Sequence, residues 1–502
     1  MEPAGPVKDR SIVKVEPFFE GASRNGIISA QKIFWGLLPK LVRLIGTYIA
    51  VEKAIETGHS PLITGALIGA GKDVRKYLYN GRLRLFLLKD GKSLQRFSIL
   101  SAHDCPWLTK FLNINLRRLT LHGEISGKNL ELIFSQFREI SICKVVGGEV
   151  RAKQMAAINK LTNLQSLCFK TTNFPDPKQS FTLTRLQNLK VTKCQLRWAA
   201  LSSLVGLQKL FIRKMPDKDG VELIRGLTGL THLVIEKTIL KDEDLQHLSS
   251  LSNLTRVDLS DNDLIDGPGL VHLAALPCLR ALSFIVSSGF EGEILSSMIS
   301  LTDLEIMNPK PIFNHLSALQ NLTRLVYMEG EFAESDLNGL GRMTALQQLD
   351  LSDCFFTGPF ALPVLVQLKS LCLKDLSFTG KASNAEESRL LIITALALPR
   401  LGELTLTLGC CEVSFRVELF NLAKKVQSLT LQFKTATFDR ERHLFVANLP
   451  NLKSLEYYCC EGIELDYLSE SRNPNVEICI RSMIHELNFD ESDPKIEDEP
   501  SQ

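Results

Sequence analysis

The chain has 502 residues, of which 45% are hydrophobic, 23% charged and 7% aromatic. A single compact core stops growing near ~250–300 residues, so this length indicates either several domains or one elongated repeat array. The formal net charge of +2 lacks the basic excess that is typical of proteins binding DNA or RNA, so we expect no nucleic-acid partner.

The first 26 residues are predicted to be disordered, and they contain no apolar run of the kind found in secretory signals. The longest charge-free apolar stretch, Pro61 to Gly71, is far shorter than the ~20 residues that a membrane-spanning helix needs. The 12 cysteines show no metal-ligand spacing, which indicates free thiols in a reducing compartment. The sequence therefore predicts a cytoplasmic or nuclear protein without a membrane span.

Residues 27–90 are largely apolar and are predicted to be helical. One interpretation is a helical cap that covers the apolar end of a repeat array. The other rests on a Leu-Pro pair near the start and a basic close at residues 72–78, with Tyr77 where a tryptophan is usual. This pattern resembles an F-box. The resemblance implies binding to the adaptor of a cullin-type ubiquitin ligase through Leu38, Pro39, Leu41 and Ile45.

From residue 94 onward, a hexad with apolar residues at its first, fourth and sixth positions recurs along the chain. Clear copies begin at residues 116, 164, 186, 207, 230, 254, 279, 301, 322, 346, 368, 401, 426 and 452. Weaker copies are LQRFSI at 94 and FREISI at 137, and VEICIR at 476 is interpreted as a degenerate last strand. Between 164 and 368 the spacing stays between 21 and 25 residues, which is the period of leucine-rich repeats.

The hexads resemble leucine-rich repeats of the intracellular type over about residues 90–480. The resemblance implies an α/β solenoid with a parallel sheet on the concave face and short helices or 3₁₀ turns on the convex face. One hexad strand cannot bury its apolar side alone, so stacked copies are expected to share one core. Three residues after the hexad a small polar residue or cysteine recurs, and in the family this side chain bonds the turn backbone: Thr172, Cys194, Thr238, Asn262, Ser287, Cys354 and Cys460.

We therefore predict a solenoid of about sixteen or seventeen repeats over residues 91–482. One interval, from 368 to 401, is about ten residues too long, and residues 381–388 are predicted to form an inserted polar loop. Residues 483–502 are rich in Asp and Glu and are predicted to be a disordered acidic tail.

The third, fifth and seventh residues of each repeat are predicted to face the concave side, because side chains alternate along a strand. This face is expected to grade from basic, through acidic at Asp303, Glu305 and Asp350, to neutral. A basic stripe attracts acidic or phosphorylated ligands, and an aromatic ring among cations is a plausible hot spot. The predicted partner-binding residues are Arg118, Lys170, Lys190, Lys209, Phe211 and Arg213.

The sequence contains no motif for a catalytic, metal or cofactor site, so we predict a protein that is not an enzyme and needs no cofactor. The leading hypothesis is a protein–protein interaction scaffold that binds its partner on the concave face. Its narrower form is the substrate receptor of a cullin-type ubiquitin ligase. The alternative is a regulator or inhibitor of a small GTPase or of another enzyme, roles that similar repeats also serve.

Overall fold

The computed structural model of the protein describes residues 77–79, 83–86, 89–90, 93–94, 96–99, 117–122, 127–176, 178–215, 221–265, 267–286, 290–332, 336–357, 361–378, 384–408, 423–433, 440–459 and 475–482. The chain forms two compact units, Met1–Gly229 and Leu230–Gln502. Each unit contains a series of parallel strands over a buried, leucine-rich core.

The strands of the first unit are β1 Tyr77–Tyr79, β2 Leu83–Phe86, β3 Lys89–Asp90, β4 Ser93–Leu94, β5 Arg96–Ile99, β6 Arg118–His122, β7 Ile142–Val146, β8 Ser166–Lys170, β9 Asn188–Thr192 and β10 Lys209–Arg213. Its described helices are α1 Gly127–Gln136 and α2 Ala152–Ile158, with 3₁₀ helices η1 Trp198–Leu201 and η2 Val221–Gly226. Strand β2 pairs antiparallel with β1 and β5, whereas β5 to β10 run parallel, each paired with the next.

The strands of the second unit are β11 His232–Glu236, β12 Arg256–Leu259, β13 Ala281–Ile285, β14 Asp303–Met307, β15 Arg324–Met328, β16 Glu331–Phe332, β17 Gln348–Asp350, β18 Phe355–Phe356, β19 Ser370–Leu373, β20 Ser377–Phe378, β21 Glu403–Leu408, β22 Ser428–Phe433, β23 Ser454–Cys459 and β24 Glu477–Ser482. Its described helices are α3 Val271–Ala274, α4 Phe313–Leu316, α5 Asp336–Gly341, α6 Asn384–Leu396 and α7 Arg440–Ala447, with 3₁₀ helices η3 Asp242–Leu248, η4 Pro268–Leu270 and η5 Glu293–Ser297.

In the second unit the hexad strands form one parallel series, and the short strands β16, β18 and β20 form a second parallel sheet. Each strand of the second sheet follows a hexad strand in the chain: β16 follows β15, β18 follows β17 and β20 follows β19. Its aromatic side chains stack between repeats, with the Phe332 and Phe356 ring centroids 5.1 Å apart. A parallel stack of this kind places the same position of successive repeats side by side.

The buried core is built from the first, fourth and sixth hexad residues. In the repeat that begins at residue 186, Leu186, Leu189 and Val191 are all at most 2% exposed. The helical segments close the core from the other side, as Leu245 and Leu248 of η3 do. Full burial of one such side chain stabilises the fold by about 1.5–3 kcal/mol. The predicted leucine-rich-repeat fold is confirmed.

The turn after the strand is built the same way in repeat after repeat. Non-glycine residues with a φ between 49° and 59° follow the strands at nine positions, Thr171, Lys193, Lys214, Lys237, Asp261, Asn308, Glu329, Asp353 and Asp375. Each such conformation costs about 1–3 kcal/mol and persists only where the surroundings hold it. It turns the chain so that the next side chain points into the repeat.

That next side chain bonds the turn backbone, as predicted for the recurring polar residue. Asn262 Nδ2 donates to the carbonyl oxygens of Ile235 and Leu259, at 2.6 and 2.8 Å. Its Oδ1 accepts from the backbone N–H and the hydroxyl of Thr238, at 3.0 and 2.7 Å. Smaller residues make fewer bonds, and Cys354 Sγ donates to the Tyr327 carbonyl at 3.1 Å. The prediction is confirmed for Thr172, Cys194, Asn262 and Cys354, whereas the Thr238 hydroxyl donates to the Asn262 side chain. Ser287 and Cys460 lie outside the described residues.

Two of the weak hexads were assigned in the wrong register. Strand β7 pairs Cys143 with Leu119, so the third repeat motif is ISICKV at 140–145 and not FREISI at 137. Likewise Ile478 pairs with Leu455, so the last motif begins at residue 475 and not at 476. The corrected spacing from 116 to 140 to 164 is 24 residues in both steps, which fits the regular period better than the original assignment.

Two predictions of local structure are also wrong where the structure describes the residues. The last part of the segment predicted to be helical forms strands β1 to β3. The residues predicted as a polar loop at 381–388 lead into helix α6, so the overlong repeat contains a helix from Asn384 onward. The remainder of the segment 27–90, the first 26 residues and the acidic tail lie outside the described residues.

Candidate partner-binding surface

The sheet face that points away from the helices and 3₁₀ turns is called the open face of each unit. Burial alternates along the strands as the hexads predict: in β8, Leu167 and Phe169 are buried, whereas Ser166, Cys168 and Lys170 are partly exposed. Because the strands are parallel and in register, the outward side chains of successive strands lie next to one another. They form three rows, each with one member per strand.

The open face of β6 to β10 is a basic surface of the first unit. We name it the basic face, after its six cations, Arg118, Lys144, Lys170, Lys190, Lys209 and Arg213. Five strands with three outward positions each give fifteen positions, and none of these fifteen holds Asp or Glu. The face therefore carries charge of a single sign.

The cations alternate with neutral side chains in a checkerboard. Lys144 and Lys190 both pair with Cys168, which lies between them, and no two of the six cations are register partners. With strands ~4.8 Å apart, Lys144 and Lys190 are separated by about 10 Å, as are Lys170 and Arg213, whereas Arg118 and Lys209 are about 19 Å apart. Two unit charges about 10 Å apart repel by only about 0.4 kcal/mol in water. The spacing keeps the face positive at little cost to folding.

Phe211 is the aromatic member of the basic face. It is the register partner of Lys190, and the Lys190 Nζ lies 4.5 Å from the centroid of the Phe211 ring. Phe211 remains partly exposed, with Lys209 and Arg213 flanking it on the same strand. A cation over an aromatic face at an exposed site is worth about 0.5–1 kcal/mol. The contact fixes one ammonium group beside an apolar surface that a ligand can cover.

The structure places the predicted residues Arg118, Lys170, Lys190, Lys209, Phe211 and Arg213 together on the basic face. Sequence reasoning missed Lys144, because the FREISI register turned that position away from the face. A search for the 24-residue spacing on both sides of residue 140 finds it. The predicted adaptor-binding residues Leu38, Pro39, Leu41 and Ile45 lie outside the described residues.

The open face of β12 to β17 in the second unit has the opposite character, as the sequence predicts. We name it the acidic face, after Asp258, Asp303, Glu305 and Asp350. Arg256 and Arg324 also lie on this face, and Arg324 places Nη1 2.6 Å from Asp303 Oδ1 and Nη2 3.6 Å from Glu305 Oε2. Burial raises the pKa of Glu305, and the nearby carboxylates of Asp258 and Asp303 add to the rise that Arg324 opposes.

Thiol chemistry and metal binding find little support in the described part of the chain. Seven thiols are free, those of Cys143, Cys168, Cys194, Cys278, Cys354, Cys372 and Cys479, and burial raises the pKa of Cys143 to about 12. Within the residues that the structure describes, no three His, Cys, Asp or Glu side chains lie close enough to hold a metal ion. Among the described helices, none is long and apolar enough to cross a bilayer.

The sequence matches no protein-family model and no curated protein at a significant level. Among solved structures, an internalin from Listeria monocytogenes is similar at 18% identity and a TM-score of 0.37, over 71% of this chain and 88% of that chain. Internalin C2 of the same bacterium is 19% identical with a TM-score of 0.29, over 45% and 84%. A leucine-rich-repeat protein of Leptospira interrogans is 17% identical with a TM-score of 0.38, over 65% and 86%. Similarity at this level carries no information on what the chain binds.

Proposed function

We propose that this chain is a non-catalytic protein-interaction scaffold whose basic face binds an acidic or phosphorylated segment of a partner protein. The observation that carries the proposal is the charge of that face, with six cations and no carboxylate among the fifteen outward positions of β6 to β10. Because the net charge of the whole chain is only +2, its overall composition does not explain a surface whose charges are all positive.

The spacing of the cations suits an extended acidic segment. Five strands span about 19 Å, which is about six residues of extended chain. An extended segment of the polyproline-II type places carboxylates or phosphates at every third residue on one side and about 9 Å apart, which is close to the distance of about 10 Å between Lys144 and Lys190 along their row. Each contact is a charge-assisted hydrogen bond, which is stronger than one between neutral groups. Phe211 adds an apolar surface for a side chain between the charges.

Two narrower functions rest on sequence alone. The F-box-like residues Leu38, Pro39, Leu41 and Ile45 support a substrate receptor of a cullin-type ligase, and the repeats themselves equally support a regulator or inhibitor of a small GTPase or another enzyme. In the full chain, Leu38→Glu with Ile45→Glu abolishes adaptor capture if the first role is right. If the variant still captures the adaptor, or if the wild type does not capture it, the ligase role is wrong and the role of regulator or inhibitor is favoured. The free thiols, of which Cys143, Cys194 and Cys354 are buried, support the proposed cytoplasmic or nuclear location.

Fluorescence anisotropy with a labelled acidic peptide of about ten residues, and with a phosphoserine version, tests the main proposal. Charge reversal at Lys190→Glu, Lys209→Glu and Arg213→Glu in the full chain is expected to weaken binding about tenfold or more. The matched control reverses Lys153, Lys178 and Arg197, which are exposed in the same unit but not on its open face. Equal loss in both variants, or tighter binding of a single-stranded nucleic acid than of the peptides, contradicts the proposal.

A further inference from the structure

The acidic face combines carboxylates with an apolar row. In its middle row, Asp258, Glu305 and Asp350 occupy every second strand, separated by Ser283 and Val326. With strands ~4.8 Å apart, successive carboxylates are about 10 Å from one another. The pattern has the same period as the cations of the basic face, with the opposite sign.

Two of these carboxylates are held in place by their own turns. Asp258 Oδ1 accepts a hydrogen bond from the Ser260 backbone N–H at 3.0 Å. Asp350 Oδ1 accepts from the Ser352 N–H at 2.9 Å and from the Ser352 hydroxyl at 2.5 Å. These bonds engage Oδ1 of each aspartate and restrict the rotation of its carboxylate. A group fixed in this way loses less side-chain entropy when it binds a cation.

An apolar row runs beside the carboxylates. Ile285, Met307 and Met328 are register partners on three consecutive strands, and each is partly exposed on the open face. Methionine side chains are flexible and polarisable, and they adapt to differently shaped apolar partners. An apolar row next to a charged row is an amphipathic surface, whose complement carries both cations and apolar side chains.

Helical geometry matches the period of this surface. Seven residues of α-helix rise about 10.5 Å, and residues seven apart lie on nearly the same side of the helix. This rise agrees with the distance of about 10 Å between successive carboxylates. A helix with Lys or Arg at every seventh residue therefore places cations over Asp258 and Asp350, and a third beside Glu305, which Arg324 already contacts at 3.6 Å. It also presents an adjacent apolar stripe to the methionines.

We infer that the acidic face is a docking surface for a cationic amphipathic helix of a partner protein, with basic residues in a seven-residue repeat. This inference goes beyond the proposed function, since it assigns to the second unit a partner of different chemistry from the partner of the basic face. The inference and the proposed function fail separately, because the two faces have opposite charge and are tested with opposite probes.

The probe is a labelled synthetic peptide of about three heptads, with Lys at each seventh position and Leu on the adjacent stripe. One reference peptide has the same composition in scrambled order, and another has Glu in place of Lys. The full-length wild-type chain is expected to bind the heptad peptide about tenfold more tightly than either reference peptide, by fluorescence anisotropy. Equal binding of the heptad and scrambled peptides overturns the inference, and this arm needs no variant of the protein.

A variant of the full chain maps the site. Asp258→Asn, Glu305→Gln and Asp350→Asn together remove three charges at nearly constant volume, and we expect a loss of affinity of about tenfold. The control neutralises Glu243, Asp263 and Glu293, which are exposed in the same unit but lie off its open face. Unchanged affinity in the first variant overturns the inference. It is also overturned if the chain self-associates through this face, seen as a dimer that the first variant abolishes in sedimentation.

Discussion

Lys190 and Phe211 lie opposite each other on two hydrogen-bonded parallel strands, with the lysine Nζ 4.5 Å from the centroid of the ring. The two residues are distant in sequence, and the stacking of successive repeats brings them together. The pair joins a cation to an apolar surface at one edge of the checkerboard. Its position makes Phe211 the first residue to test as an anchor for an acidic ligand.

Phe211→Leu keeps an apolar side chain but removes the aromatic ring. We expect the affinity for the acidic peptide to fall about two- to fivefold, because the Lys190 ammonium is no longer held in place by the ring and must be ordered when the peptide binds. Urea unfolding should change by less than about 1 kcal/mol, since the ring is partly exposed. A large loss of stability together with the loss of binding would mean that Phe211 acts on the fold and not on the ligand.

Lys144→Glu tests the corrected register of the third repeat. Lys144 points to the basic face between Thr120 and Cys168, so reversing its charge is expected to weaken acidic-peptide binding several-fold. The same change at Lys153, exposed on helix α2, should leave anisotropy titrations unchanged. If the two variants behave alike, Lys144 has no part in the binding face.

The sequence predicts the strands and the face better than it predicts the contacts on that face. Leucine at the first and fourth hexad positions fixes the register wherever it is present. Ile140, Cys143 and Val145 are buried at the first, fourth and sixth positions of their repeat, but none of them is a leucine. The leucine pattern therefore does not reveal the register of that repeat. The pairing of Lys190 with Phe211 depends on side-chain conformation across two strands, which no spacing along one strand encodes.

Helix α6 illustrates a second limit of structure prediction from the sequence. Its residues 384–388 are polar and resemble a loop, but they continue into the apolar turn that ends at Leu396. Of that turn, Leu391 and Ala395 are buried. A short polar segment gives no signal of its own when the packing of the following residues decides its structure.

Asn262→Leu is expected to lower the free energy of unfolding by about 3 kcal/mol. The substitution removes the hydrogen bonds that Asn262 makes to the Ile235 and Leu259 carbonyls and to the Thr238 N–H inside the repeat. Leucine matches the size of asparagine closely enough that the loss reflects hydrogen bonds more than volume. Urea denaturation followed by circular dichroism measures it. The exposed Asn314→Leu serves as the control and should change stability by less than about 0.5 kcal/mol.

Glu305 gives the acidic face a pH dependence. Burial raises its pKa in the folded chain, so the folded protein holds this proton more tightly than the unfolded chain does. The wild type should therefore gain stability relative to Glu305→Gln as the pH falls from neutral toward the ordinary carboxyl pKa of 4.5. Urea unfolding of both proteins across this range gives the difference. A difference that is constant, or that grows toward neutral pH in favour of the wild type, contradicts the raised pKa.

The most direct test of the central claim locates the bound ligand. An acidic peptide carrying a photoreactive group is cross-linked to the full-length chain, and the modified residues are identified by mass spectrometry. We predict cross-links within β7 to β10, around Lys144, Lys190 and Phe211, and their loss when an unlabelled phosphorylated peptide competes. Cross-links concentrated on the acidic face, or spread evenly over both units, would contradict the assignment of the basic face as the partner-binding surface.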